Sequence, residues 1–287
     1  MQRFSIVLMF LCAFTSFAQR KQVWPEKFQG AKKVTYKTIG DVKLHLHVFS
    51  PAEKKSNASA IVFFFAGGRN HGTPGQFEQQ CRYLASRGMV AMTAEYRIRN
   101  MHGTRGKACV EDGKSAVRWI RSNAKKLGVN PNQIAAAGGS AGGHVAACSG
   151  VIKGFEAKDE DSKISSIPNA MILFNPPCVL AAVPERKDYL SAQAMAGMAA
   201  RMGVAPEQLS PWHNVYKGQP PTLVLHGEAD SLVPFWTSKV FVEKMKKAGN
   251  QAELAAYSGQ EHGFFNYGRG NDKMFIATMP VSYTHLR

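Results

Sequence analysis

Cysteine is scarce in this sequence, with 5 cysteines among 287 residues. One lies in an apolar N-terminal run, and the other four are too few for a disulfide scaffold in a chain of this length. Cys81 and Cys109 fall on predicted helices beside the early strands and are the first candidates for a disulfide, although sequence alone does not fix the pairing. The other two are Cys148 and Cys178. None has the spacing of a metal-ligand set, and we expect no metal.

Acidic residues are also few. The chain has 20 Asp and Glu against 36 Lys and Arg, a formal charge of +16 at pH 7. The lysines are scattered rather than clustered, which favours a solubilising surface over a site for acidic polysaccharide. Beyond the net charge there is no pattern typical of nucleic-acid binding, so we predict no nucleic-acid partner. The sequence does not indicate an oligomeric state.

An extended apolar run without charges occurs at the N-terminus, but residues 5–14 are too few to span a bilayer as a helix. A short basic start precedes them, and Ser16-Phe17-Ala18 follows as a small-x-small cleavage signal. This pattern predicts a secretory signal peptide over residues 1–18, cleaved after Ala18. We therefore expect a secreted or periplasmic protein without stable membrane insertion after cleavage; a retained N-terminal anchor is the alternative.

The rest of the chain alternates between strand and helix patterns. After a predicted hairpin at residues 33–48, residues 60–65 are apolar throughout, which is typical of a strand buried on both faces of a parallel sheet. We predict an α/β fold over residues 26–279, with a mostly parallel central sheet and helices on both faces. Residues 178–212 are rich in alanine, methionine and proline, and we expect a small helical insertion that caps the pocket.

Two histidines, His45 and His47, lie on the same face of the predicted hairpin. A pair at this spacing on a strand can bind a metal ion, but no third ligand is evident. We therefore favour an exposed edge face of the sheet over a metal site.

The clearest motif is residues 138–144, GGSAGGH, between a short apolar segment and a predicted helix. A G-x-S-x-G pattern in that context is typical of a nucleophile elbow. On so tight a turn, the residues two positions before and after the serine must have very small side chains. In this sequence they are Gly138 and Gly142. The motif predicts Ser140 as nucleophile and the N–H of Ala141 as an oxyanion donor. The alternative is a glycine-rich turn with an incidental serine.

A serine hydroxyl needs a base, and the base needs an acid that orients it. When the serine lies on an elbow of this kind, the acid and the base come after it in the chain, in loops that follow later strands. Asp230 is the predicted acid, with Glu228 as the alternative, and His262 is the predicted base. Gly67 and Gly68 follow an earlier strand and are predicted to supply further N–H groups to the oxyanion hole.

With these motifs the sequence resembles the α/β-hydrolase superfamily, and within it the secreted bacterial acetyl-esterase and feruloyl-esterase-like branch with an H-G-G-G-type loop. The likeness rests on the elbow and on residues 64–68 (FFAGG), 226–234 (HGEADSLVP) and 261–265 (EHGFF). It implies hydrolysis of short-chain carboxylic esters through an acyl-serine intermediate, without a metal or organic cofactor. The implied substrates are small-molecule or polysaccharide esters, with acetyl or similar groups on carbohydrate.

The sequence departs from the family pattern in two places. The His-Gly-Gly-Gly loop is replaced by FAGG at residues 65–68, and Arg69 stands where an aromatic residue is common. For Arg69 we favour a solvated side chain over a contact with an acidic sugar. Near the end, a helix predicted over residues 271–279 is stopped by Pro280. Residues 280–287 resemble translated adaptor sequence, which suggests a non-native tail in place of the family's closing helix.

Two other functions stay open at this point. A serine exopeptidase shares the fold, but that group often has an aromatic residue after the nucleophile and a large extra domain, whereas this chain has Ala141. A non-catalytic glycan-binding module would tolerate loss of the triad, yet Ser140, Asp230 and His262 are all present.

Overall fold

The computed structural model describes residues 23–53, 56–184 and 186–284. Its described residues form an eight-stranded sheet, whose strands are β1 (Lys32–Ile39), β2 (Val42–Phe49), β3 (Ala58–Phe64), β4 (Val90–Ala94), β5 (Val129–Gly139), β6 (Ala170–Phe174), β7 (Thr222–Gly227) and β8 (Ala252–Tyr257). The spatial order is β1-β2-β4-β3-β5-β6-β7-β8. The pairs β1–β2 and β2–β4 are antiparallel, and every later pair is parallel. The predicted mostly parallel sheet is confirmed.

Helices cover both faces of this sheet. The α-helices of the described residues are α1 (Glu78–Ser86), α2 (Arg99–His102), α3 (Gly106–Ser122), α4 (Ala124–Leu127), α5 (Ala141–Val151), α6 (Ala192–Met202), α7 (Phe235–Lys247) and α8 (Lys273–Thr284). One face carries α3, α5 and α7, and the other carries α1 and α8. Short 3₁₀ turns at Pro206–Leu209 and Pro211–Asn214 follow α6.

The central strand β3 divides the apolar interior into two cores. Val62 and Phe64 belong to the core on the α3 side, and Ile61 and Phe63 belong to the core on the α1 side. Successive side chains of a strand point to opposite faces, so this strand must be apolar at every position to serve both cores. That requirement explains the unbroken apolar run in the sequence.

The sheet also separates the two cysteines that we proposed as a disulfide. Cys81 lies on α1 in one core, and Cys109 lies on α3 in the other. Cys81, Cys109, Cys148 and Cys178 are all buried and unpaired. The proposed Cys81–Cys109 bridge is therefore wrong, because α1 and α3 cover opposite faces of the sheet.

The expectation of an exposed face around His45 and His47 is also wrong. The strand β2 is not an edge strand, because it pairs with both β1 and β4. His47 is fully buried, and its Nε2 lies 3.0 Å from Glu95 Oε1, while His45 Nδ1 lies 2.7 Å from Glu95 Oε2. Within the described residues, no group of three or more His, Cys, Asp and Glu side chains is arranged to hold a metal ion.

The C-terminal helix continues past Pro280, contrary to our prediction that it stops there. The helix α8 runs to Thr284, and Met279 is 1% exposed within the core on the α1 side. Pro280 lies on the exposed side of the helix, where the carbonyl left without its N–H partner is able to bond water. Ser282 Oγ donates to Thr278 O at 2.9 Å in the same stretch. That residues 280–287 are non-native stays a prediction.

The predicted signal peptide, residues 1–18, lies outside the described residues, as do residues 285–287 of the predicted tail. In the part of the chain that is described, each helix is too short or too polar to cross a membrane. Export of the protein stays a prediction.

Candidate active site

Ser140 lies on a strained turn between β5 and α5. Its φ of 51° and ψ of −117° are unusual for a residue with a side chain, and such strain costs on the order of 1–3 kcal/mol. A Cβ on Gly138 would lie 2.5 Å from the Gly142 carbonyl carbon, and one on Gly142 would lie 1.9 Å from Phe64 O. Both glycines are therefore required by close backbone contacts, as the elbow motif predicted.

The loops after β7 and β8 bring Asp230 and His262 together. His262 Nδ1 lies 2.7 Å from Asp230 Oδ2. A carboxylate oxygen only accepts, so Nδ1 carries a proton and donates it to Asp230, which leaves Nε2 as the other ring nitrogen. The next residue, Gly263, donates its N–H to Asn175 Oδ1 at 3.1 Å, and this bond ties the histidine loop to the end of β6.

A second histidine, His226, also contacts Asp230. His226 Nε2 lies 3.1 Å from Asp230 Oδ2 and 2.9 Å from Val233 O, and both of these atoms are acceptors. Its Nε2 therefore carries a proton, while Nδ1 lies 2.7 Å from Ser238 Oγ. His226 lies in the motif at residues 226–234 and had no predicted role, and its position four residues before the acid is the signal that could have found it.

The carboxylate of Asp230 accepts two further hydrogen bonds, from the N–H groups of Leu232 at 2.9 Å and Val233 at 2.8 Å. Burial alone would raise the pKa of Asp230, but the hydrogen bonds from His226 and His262 outweigh it and hold the pKa well below its ordinary value. Asp230 is thus kept ionised. Glu228, the alternative acid, is exposed on the same loop.

The loop after β3 holds the predicted oxyanion donors. Gly67 has φ +112° and Gly68 has φ +64°, and a Cβ on Gly67 would lie 2.0 Å from His71 O. Two hydrogen bonds of 3.1 Å, from the N–H groups of Asn70 and His71 to Gly67 O, close the loop. Among the described residues no partner takes the N–H of Gly67, Gly68 or Ala141. These donors are available for a ligand.

A cavity of about 580 Å³ joins these groups, since Ser140, His262 and the three residues with free N–H groups all line it. The segment 178–212 contributes Tyr189, Met198 and Arg201 to the wall. Arg201 Nη2 donates to Gly68 O at 2.7 Å, so α6 is joined directly to the loop after β3. That this segment acts as a cap stays a prediction.

The expectation that Arg69 is solvated is wrong. Its side chain is only 5% exposed, and it lines the cavity beside the glycine loop. Burial lowers the pKa of Arg69, and the nearby positive charge of Arg201 lowers it further. Arg69 itself has a φ of +68°, in the left-handed region that residues with a side chain rarely adopt.

The sheet order, the serine on a strained turn after β5, and the carboxylate–histidine pair after β7 and β8 define an α/β-hydrolase fold. A family model described as BD-FAE matches residues 46–245, and the chain belongs to this family.

Relatives and solved structures agree with this assignment. The chain is 28% identical to Esterase LipC of Mycobacterium tuberculosis over 72% of this chain and 53% of that protein. It is 26% identical to an acetylxylan esterase of Xylanibacter ruminicola over 82% of this chain and 47% of that protein. The chain thus spans about half the length of these curated relatives.

Among solved structures, the propionate-bound thermophilic esterase Est2 of Thermogutta terrifontis has a TM-score of 0.84 and 45% identity, covering 90% of this chain and 94% of that one. The same esterase phosphonylated by sarin has a TM-score of 0.86 and 44% identity, covering 91% of this chain and 95% of that one.

Proposed function

We propose that this protein is a serine carboxylesterase that hydrolyses short-chain esters through an acyl-serine intermediate. The observation that carries the proposal is that Ser140 and His262 line the same cavity. The imidazole of His262 contacts Asp230, with 2.7 Å between Nδ1 and Oδ2. The names of the relatives support it, since they are esterases with similar sequences or folds.

In the proposed mechanism His262 Nε2 accepts the proton of Ser140 as the hydroxyl oxygen attacks the ester carbonyl carbon. The negative charge that develops on the carbonyl oxygen is bound by the N–H groups of Gly67, Gly68 and Ala141. The tetrahedral intermediate collapses, the alkoxide leaves with the proton from His262, and an acyl-serine remains. Water then attacks the acyl carbon and gives its proton to His262, which returns it to Ser140 as the carboxylic acid departs.

The proposed substrates are acetyl or similar short acyl groups on carbohydrate. The resemblance to the acetyl-esterase branch supports this choice, and one relative is named an acetylxylan esterase. We expect acetate release from acetylated xylo-oligosaccharides at a higher kcat/KM than from acetylated small alcohols. Equal values for the two substrates would contradict the carbohydrate assignment and leave the esterase assignment intact.

The esterase assignment is tested with p-nitrophenyl acetate and the variants Ser140→Ala and Ser86→Ala. Loss of the nucleophile is expected to lower kcat by about 10⁶-fold, to the uncatalysed background in practice. Ser86 is exposed at the end of α1, so Ser86→Ala is the matched control and keeps wild-type turnover. Wild-type activity in Ser140→Ala rejects the proposal, and faster cleavage of aminoacyl p-nitroanilides than of esters favours the exopeptidase instead.

A further inference from the structure

A second cavity, of about 560 Å³, lies beside the candidate active site. Arg69, Asn70 and Arg201 line both cavities, and Arg99 and Arg105 also line the second one. Four arginines therefore line one space. Among the described residues that line it, none is an aspartate or a glutamate.

Arg69 is a buried charge without a protein partner. It is 5% exposed, and its Nε is buried without a hydrogen bond. Within the described part of the chain, no hydrogen bond or ion pair joins the Arg69 guanidinium to another residue. The hydroxyl of Thr104, which also lines the cavity, is buried and unpaired as well. Burying such groups without hydrogen-bond partners is costly, and both Arg69 and Thr104 are therefore available to a ligand that enters the cavity.

The backbone holds these arginines around the glycine loop. The N–H of Arg99 donates to Arg69 O at 2.9 Å, which fixes the start of α2 against this loop. Arg201 reaches the loop from α6 through its bond to Gly68 O. Arg105 immediately precedes α3 on the remaining side. The cationic cavity is thus built from the same loop that presents the oxyanion donors.

We propose that this arginine-lined cavity is an anion subsite that binds a carboxylate carried by the ester substrate while the ester group lies at Ser140. The inference rests on the proposed esterase function. A guanidinium pairs with a carboxylate through two parallel N–H···O bonds, so Arg69 and its neighbours match this ligand in geometry as well as in charge. The net charge of +16 also attracts anionic substrates to the surface.

The carboxylate belongs either to the alcohol half or to the acid half of the ester, and two pairs of substrates distinguish these cases. The alcohol arm compares 3-acetoxybenzoate with 3-acetoxybenzamide, and the acid arm compares monomethyl glutarate with methyl 4-carbamoylbutanoate. Each pair has nearly the same shape and differs in charge. In one of the two pairs we expect kcat/KM for the ester that carries the carboxylate to exceed kcat/KM for its uncharged amide counterpart by about tenfold or more. The excess should fall as salt is added.

Arg105→Gln is expected to lower this preference by about tenfold, because a charge-assisted hydrogen bond is replaced by a neutral one. Arg99→Gln, at an exposed position, is the second variant and should lower it in the same direction. Arg87→Gln is the matched control, since Arg87 is exposed beyond α1, and it should keep the preference. Circular dichroism establishes that each variant is folded.

Binding to Ser140→Ala separates this inference from the esterase proposal. The intact 3-acetoxybenzoate or monomethyl glutarate should bind about tenfold tighter than its amide counterpart by titration calorimetry, and Arg105→Gln in the same background should remove the difference. A preference in binding without turnover by the wild type supports the subsite and rejects the esterase. Turnover of p-nitrophenyl acetate without a charge preference in either arm overturns the subsite alone.

Discussion

Replacement of Asp230 by asparagine tests how the site orients its base. The carboxylate accepts four hydrogen bonds between 2.7 and 3.1 Å, two from backbone N–H groups and two from His226 and His262. If the side-chain oxygen of the asparagine accepts the two backbone N–H groups, its NH₂ group faces the N–H groups of both imidazoles. Donor then faces donor, which is unfavourable. His262 then relieves this conflict by shifting its proton from Nδ1 to Nε2, where it no longer acts as a base.

A base held in the wrong tautomer lowers kcat by about 10⁴-fold, as the corresponding change does in serine proteases. At about 1.36 kcal/mol per factor of ten, the expected loss of transition-state stabilisation is about 5.5 kcal/mol. Asp230 is buried behind His262 and does not line the cavity, so KM for p-nitrophenyl acetate should change by less than about threefold.

The matched control for this variant is Glu228→Gln, which removes an exposed carboxylate from the same loop. A surface charge of this kind contributes little, and kcat should stay within about twofold of the wild type. Steady-state kinetics gives kcat and KM for both variants. Circular dichroism establishes that each variant is folded. The role proposed for Asp230 is wrong if Asp230→Asn keeps a tenth or more of the wild-type kcat, or if Glu228→Gln loses as much activity as Asp230→Asn.

Three further predictions concern the loop after β3, the last helix and the acid stability. Gly67→Ala should lower kcat for p-nitrophenyl acetate by about 10²–10³-fold, because the added Cβ pushes the oxyanion donors away, whereas Gly40→Ala, at a positive φ with open space, should leave kcat unchanged. Met279→Ala should cost about 2–5 kcal/mol in urea unfolding, against less than about 0.5 kcal/mol for Ile276→Ala, which is 63% exposed on the same helix. Because the folded-state pKa of Asp230 lies below its ordinary value of 3.8, its ionised form stabilises the fold above that value, and this contribution is lost as the pH falls through the folded-state pKa. The difference in melting temperature between wild type and Asp230→Asn should therefore shrink on acidification from about pH 4 to about pH 2, and a constant difference over that range would contradict the assigned shift.

The sheet and the elbow could be predicted because their signals are local. An unbroken apolar run marks a strand that serves two cores, and glycines on both sides of Ser140 mark a turn with close backbone contacts. Asp230 and His262 could be placed near each other because parallel strands end at one edge of the sheet. Their catalytic roles stay predictions.

The errors have a common origin in contacts between distant parts of the chain. Neither the partner of His47 nor the face on which Cys109 lies is visible in the sequence, because β4 inserts between β2 and β3 in space. A charged residue is usually exposed, so Arg69 was expected in solvent. Its burial depends on α2 and α6 closing around the glycine loop, and these segments are 30 and more residues away along the chain.

Reaction of the full chain with a fluorophosphonate tests most directly whether Ser140 is the nucleophile. We expect one adduct per chain by intact mass, located by peptide mapping on the segment with Ser140, and loss of p-nitrophenyl acetate turnover in step with labelling. The Ser140→Ala variant should stay unlabelled while Ser86→Ala labels like the wild type. An adduct on another residue, or continued turnover by fully labelled protein, would contradict the account.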